Sequence, residues 1–242
     1  MTPIRPRGVH GQTVEALASR ILSGELAEGQ TLDLPALREE LDVSLTALRE
    51  ALKVLTAKGM IDARQKRGTF VRPRVHWNML DADVLRWQVT ASADPRLFGK
   101  LTEVRAIVEP AAARLAAERA TTADLDQLRD ALRGMTDAGS DTAAMTLADV
   151  AFHRCLLLAA HNEFLSQIGR VLEVGLAERD RVVHEANPAD DPVPSHRAVF
   201  EAISARDALA AEAAMFGLLD KSTTDLSQLA PSPSSTTPAP HP

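Results

Sequence analysis

The sequence predicts a mainly α-helical protein: an N-terminal winged helix-turn-helix domain followed by an antiparallel all-helical bundle. Four observations carry this. The chain has 242 residues, room for two modest domains. Its aromatic content of 3%, with no Tyr, favours packed helices over sheets. Residues 34–71, LPALREELDVSLTALREALKVLTAKGMIDARQKRGTFV, read as a helix, a polar break, a second helix and a basic hairpin. From Asp94 onward, apolar residues recur at helical spacing almost throughout.

Taken in order, residues 1–10 form a basic arm with Arg5 and Arg7. A helix is expected from Thr13 to Ser23, with Val14, Leu17, Ala18, Ile21 and Leu22 on one face and Gly24 ending it. Gln30-Thr31-Leu32 is expected to be a short strand pairing with the hairpin. Leu34, Leu37 and Leu41 share the inner face of the next helix. Ser44 can accept from the free amides that open the following one. That helix buries Leu48, Ala51, Leu52 and Leu55 and leaves Thr46, Arg49 and Lys53 on or near the opposite side; Gly59 closes it. Ile61–Arg64 and Thr69–Arg72 alternate as strands around the tip Gln65-Lys66-Arg67-Gly68. The first domain is expected to span residues 1–74.

Charge separates a nucleic-acid reader from two packed helices with a solvated hairpin. Between Met60 and Arg74, Arg64, Lys66, Arg67, Arg72 and Arg74 face a single acid, Asp62. Residues 1–74 hold 12 Lys+Arg against 9 Asp+Glu, net +3, leaving −9 for the rest of a chain whose total is −6. A basic end on an acidic protein is the electrostatic footprint of DNA binding. One recognition helix covers a half-site, so a homodimer on double-stranded operator DNA is expected.

Residues 75–93 are expected to be a helical connector, with Trp77, Leu80, Val84 and Trp87 at helical spacing as packing anchors. Residues 94–224 are expected to form a second, all-helical domain, with helices near 95–119, 122–138, 141–160, 163–185, 192–205 and 207–224. Short connections imply antiparallel neighbours. Residues 225–242, mostly Pro, Ser, Thr and Ala, are expected to be disordered. The single cysteine, Cys155, excludes an internal disulfide and a multi-cysteine zinc site, and its apolar neighbours suggest a buried, inert thiol. No leading apolar segment and no uninterrupted apolar run near 20 residues is found, so a cytoplasmic protein with no membrane partner is expected.

Within the bundle, Asp149 and His153 stand at i and i+4, and His196 opens another helix 43 residues later. A carboxylate and two converging imidazoles suit a divalent transition metal. From the spacing alone, an Asp–His pair on a helix is more often a surface or capping interaction. Arg105, on an apolar stretch, requires an anionic partner if buried: an internal one, Glu103 or Glu109, or a ligand.

The order G-x-L-x-x-G-x-x-L, V-S-x-x-x-L-R-E-A-L and R-G-T-x-V resembles the GntR family of bacterial transcription regulators. It is carried by Gly24 to Leu32, Val43-Ser44, Leu48 to Leu52 and Arg67 to Val71. The resemblance implies DNA contacts from Arg38, Thr46, Arg49 and the wing residues Arg67 and Gly68, with Ser44 at the same helix start. One departure is Leu45, where the family usually has Arg, placed to meet a thymine methyl or to remove a contact. The connector W-N-x-L-D-x-x-V-L-x-W resembles that of galactonate-operon regulators. L-x-E-V-R-x-x-x-E from Leu101 to Glu109 and D-x-x-F-H from Asp149 to His153 resemble the FCD effector domain of the FadR-type branch. That resemblance implies a metal such as zinc at Asp149, His153 and His196, and Arg105 directed at an effector carboxylate. The usual fourth ligand falls near Leu218, which cannot coordinate, leaving His184 or water to substitute.

The function expected is that of a ligand-responsive repressor of a catabolic operon, released by a small carboxylate such as a sugar acid. Two alternatives stand beside it. One is a metal-dependent enzyme acting on a small organic acid, against which no recognisable base motif or nucleophile elbow is found. The other is a DNA-binding protein whose bundle only dimerises.

Overall fold

A computed structural model of the chain describes residues 8–91, 95–186 and 191–229. It divides into two units, Met1–Asp94 and Pro95–Pro242.

The first unit opens with α1 (Val9–Leu22), four residues ahead of the expected start. Gly8, its N-cap, supplies no side-chain hydrogen bond, so the usual start signal is missing from the sequence. Helices α2 (Leu34–Glu40) and α3 (Leu45–Ala57) are both capped as the residues suggest. Asp33 accepts from the Ala36 amide and Ser44 from the Ala47 amide. After α3, Gly59 has φ 75°, and a Cβ there would meet the His76 carbonyl at 2.5 Å, so only glycine fits the turn. Strands β1 (Ile61–Arg64) and β2 (Gly68–Val71) pair antiparallel, Ile61 opposite Val71 and Arg64 opposite Gly68. The strand expected at residues 30–32 shrinks to one bridge, Thr31 to Phe70, flanked by the Leu32 amide on the Thr69 carbonyl at 2.8 Å.

The segment expected as a separate connector folds onto this unit. Helix α4 (Ala82–Ala91) places Val84 and Trp87 in one core with Leu17, Leu48, Leu55 and Met60, and Trp77 joins them. Both indoles are satisfied, Trp77 by the Arg72 carbonyl and Trp87 by the Glu15 carboxylate. Lys58, beneath α4, pairs with Asp81 at 2.7 Å and Asp83 at 2.9 Å.

The second unit is six helices: α5 (Pro95–Arg119), α6 (Thr122–Ala138), α7 (Thr142–Ala159), α8 (Glu163–Ala186), α9 (Val193–Ser204) and α10 (Ala208–Leu229). Alanines 113, 116 and 117, with Ala120 just past its end, give α5 a small inner face, against which Leu128, Phe152, Leu156, Val199 and Met215 pack from four other helices. Thr121 and Asp124 form a reciprocal capping box at the start of α6. Two arginines close the far end of α5 and α7: Arg206 donates to the Ala117 and Ala120 carbonyls, and Arg119 to that of Ala160. Helix α7 is long and apolar enough to cross a membrane by composition. Here Phe152, Leu156 and Ala159 are wholly buried in the bundle core, so its apolarity serves packing.

Helix α10 corrects one expectation. Residues 225–229, assigned to a disordered tail, are helical. Once a helix is nucleated, each added residue gains a backbone hydrogen bond without a new nucleation cost, so a weak sequence can extend it. Residues 230–242 lie outside the described residues.

Candidate metal centre and nucleic-acid interface

Helix α7 projects Asp149 and His153 from one face, and α9 brings His196 to meet them; all three are at most 5% exposed. Asp149 Oδ1 lies 3.0 Å from His196 Nε2, Asp149 Oδ2 lies 3.6 Å from His153 Nε2, and the two Nε2 atoms are 3.4 Å apart. The three potential ligand atoms all lie within 4.8 Å of one another. The surface-pair reading of Asp149 and His153 is excluded by their burial.

The outer partners of the imidazoles decide which nitrogen faces the centre. His196 Nδ1 donates to the Pro192 carbonyl at 2.8 Å, an acceptor only, so its Nε2 is turned toward Asp149. His153 Nδ1 lies 2.8 Å from Glu109 Oε2. Burial, with the nearby Arg105 guanidinium, pushes the His153 imidazole below its ordinary value, against the pull of Glu109 and Asp149. A neutral His153 that donates from Nδ1 presents a lone pair at Nε2. Both histidines therefore aim Nε2 at one point beside a carboxylate, the arrangement that second-shell acceptors impose on metal-binding imidazoles. A cation at that point relieves the mutual repulsion of these donors, so the donor set fits a divalent transition metal.

Arg105 is 2% exposed, and its partner is internal. Its Nε donates to Glu109 Oε1 at 2.7 Å and its Nη2 to Oε2 at 3.3 Å, while Glu103 is exposed. Nη2 also lies 3.0 Å from His153 Nε2. Glu109 is thus a member of the centre that sequence reasoning named only as a possible ion-pair partner. Burial would raise its carboxyl, but Arg105 and His153 outweigh that and hold it at about 2. The i, i+4 spacing to Arg105 was its visible signal; its bond to His153 had none. Leu218 is 5% exposed in the apolar core beside Met215 and supplies no ligand. The side chain of His184 lies outside the described residues. His161 instead pairs with Asp124 at 2.8 Å, near the start of α6. Cys155 is 8% exposed, and burial pushes its thiol up.

In the winged unit, Arg38 on α2 and Thr46 and Arg49 on α3 are exposed. Ser44 spends one lone pair on its cap at 3.1 Å from the Ala47 amide. Leu45, the first residue of α3, is 44% exposed. At the wing tip, Lys66 and Gly68 have positive φ, 71° and 79°. Arg67 lies 3.7 Å from the Phe70 ring centroid and donates to the Gly29 carbonyl at 3.1 Å, which steadies its guanidinium on the wing.

Residues 10–71 match the model of the bacterial regulatory proteins of the gntR family, and residues 100–221 match the FCD domain. The galactonate operon transcriptional repressor of Escherichia coli is 39% identical over 89% of this chain and 96% of its own length. The chain belongs to the GntR family. A second member, the HTH-type transcriptional regulator LutR of Bacillus subtilis, is 32% identical over 82% of this chain and 92% of its own. The solved structure of Lar, which controls expression of the Listeria monocytogenes agr system, shares the fold: TM-score 0.63 at 19% identity, covering 93% of this chain and 99% of that one. Family and relatives identify this GntR protein as a ligand-responsive, DNA-binding transcription regulator, and the enzyme alternative falls.

Proposed function

We propose that this regulator represses a catabolic operon for a small hydroxylated carboxylate, a sugar acid first, and leaves its operator when that acid binds the helical unit. The observation that carries the reading is the convergence of Asp149, His153 and His196 beside Arg105. The chemical complement of a metal site next to a guanidinium is an anion with oxygen donors. The E. coli relative, named as the repressor of a galactonate operon, points the same way. When bound by Asp149, His153 and His196, a divalent metal such as zinc supplies positive charge and open positions for ligand oxygens. Glu109 keeps His153 in the metal-ready tautomer and neutralises Arg105 until a carboxylate competes for that guanidinium. DNA contacts are assigned to Arg38, Ser44, Thr46, Arg49, Arg67 and Gly68, on a cytoplasmic homodimer whose symmetry matches a two-fold operator. By linkage, DNA then weakens acid binding by the factor by which acid weakens DNA binding.

The test is fluorescence anisotropy of the full chain on its upstream DNA at fixed salt, titrated with sugar acids and hydroxy acids, with zinc and after chelation. One acid is expected to weaken DNA binding at least about tenfold, a shift of ~1.4 kcal/mol. The His153→Ala variant should bind DNA but ignore that acid. DNA affinity left unchanged by every acid that calorimetry shows to bind would sink the proposal.

A further inference from the structure

Two helices of the effector unit repeat one pattern. Helix α5 carries Thr102, Arg105 and Glu109, and α7 carries Thr146, Asp149 and His153, each trio spaced by three and then four residues. That spacing keeps a trio on one helix face. All six side chains are buried, none above 9% exposed. With His196 they are the buried polar and charged residues of this unit among the described residues. The two helices run in the same sense, because their contacts advance together. Glu109 meets His153, Ala112 clusters with Leu157, and Arg119 reaches the Ala160 carbonyl. The threonines therefore stand at one level, a turn before the charged groups.

Only one of these threonines serves the fold. The Thr102 hydroxyl donates back to the Phe98 carbonyl at 3.0 Å. The Thr146 hydroxyl is sealed from solvent and has no hydrogen-bond partner among the described residues. An unpaired buried hydroxyl destabilises a protein, and valine fills nearly the same space without that cost. The chain keeps the hydroxyl on the face that carries Asp149 and His153.

We propose that Thr146 is the specificity residue of the effector site, hydrogen-bonding a hydroxyl of a polyhydroxy acid whose carboxylate lies at Arg105 and the Asp149–His153–His196 centre. This rests on the proposed function and adds the length of the ligand. Three residues, about 4.5 Å of helix rise, separate Thr146 from Asp149 and Thr102 from Arg105. That is the span of roughly three carbon–carbon bonds at ~1.5 Å each. A hydroxyl far along a sugar acid reaches Thr146, whereas the α-hydroxyl of a lactate-sized acid falls short.

The test is calorimetry of zinc-loaded full-length protein with galactonate and with lactate, for wild type, Thr146→Val and Thr146→Ser, beside thermal melts without acid. Thr146→Val should bind galactonate about tenfold more weakly. It should treat lactate as wild type does, keep its zinc and its DNA affinity, and melt no lower than wild type. Thr146→Ser should restore galactonate binding. Unchanged galactonate affinity in Thr146→Val overturns the assignment. So does an equal loss for both acids, or a variant that melts well below wild type, since the hydroxyl is then structural. Wild type that binds neither acid is a different result: it removes both acids as effectors, and this assignment, which rests on galactonate, with them.

Discussion

The two units use arginine in opposite ways. In the winged unit, Arg38, Arg49 and Arg67, to which DNA contacts are assigned in the proposed function, are exposed on two helices and the hairpin. In the effector unit, Arg105 is 2% exposed and is answered by Glu109 within its own helix. A surface that meets a polyanion keeps its cations in water, where they are inexpensive to hold and release counterions on binding. A cavity that selects a small anion must first satisfy its cation internally, or the buried charge would unfold the site. Under the proposed function, exposed charge supplies affinity and buried charge supplies selection, at the cost of making stability depend on every member of the network.

The largest effect that could break this contrast is on folding. Glu109→Ala leaves Arg105 buried without its carboxylate and is expected to cost ~3–5 kcal/mol in urea unfolding. Arg49→Ala, on an exposed face, should stay within about 0.5 kcal/mol of wild type. A Glu109→Ala protein with the wild-type midpoint would show that the pair is not structural.

Acid sharpens the same contrast. Glu109 is held at about 2 against an ordinary 4.5, and His153 is lowered from 6.5. Both groups bind fewer protons folded than unfolded, so stability is complete above those ordinary values and is lost as pH falls. His153 acts from about pH 6.5 downward, and Glu109 from about 4.5 toward 2, the latter on the order of 3 kcal/mol. Melts of chelated protein, which exclude metal release as the cause, should show a falling Tm across this window. They should fall less steeply in Glu109→Gln, whose side chain does not titrate. Equal slopes would remove Glu109 as the origin.

The smallest effect is on the exposed side. Arg49→Ala should weaken operator binding by ~1–3 kcal/mol; if Arg49 contacts a phosphate, the salt slope should fall by about one. Zinc and acid binding by the helical unit should not change. Operator affinity equal to wild type at every salt concentration would take Arg49 out of the interface.

Much of this architecture was legible in short stretches of sequence. Leu48, Leu52 and Leu55 announced the inner face of α3, Ser44 its cap, and the alternation around Lys66 the wing, because these are contacts over a few residues. The Asp149–His153 spacing likewise placed two donors on one face before any fold was known. Other features were silent. Gly8 starts α1 without a side-chain cap, and α10 runs to Leu229 through residues with no apolar period. Trp77 and Trp87 were legible as anchors, but that they anchor α4 to the winged core depends on Glu15 and the Arg72 carbonyl, which no local pattern links to them.

The sequence by itself determined the elements, their caps, the basic wing and the residue types of the centre, since each rests on neighbours within about one helical turn. The tertiary structure decided which nitrogen of each histidine faces Asp149, which glutamate Arg105 takes, and which buried hydroxyl is left over. Those choices are made by atoms from α5, α7 and α9 that only packing brings together. Hydrogen-bond partners over a few ångströms cannot be assigned until the helices that carry them are in place.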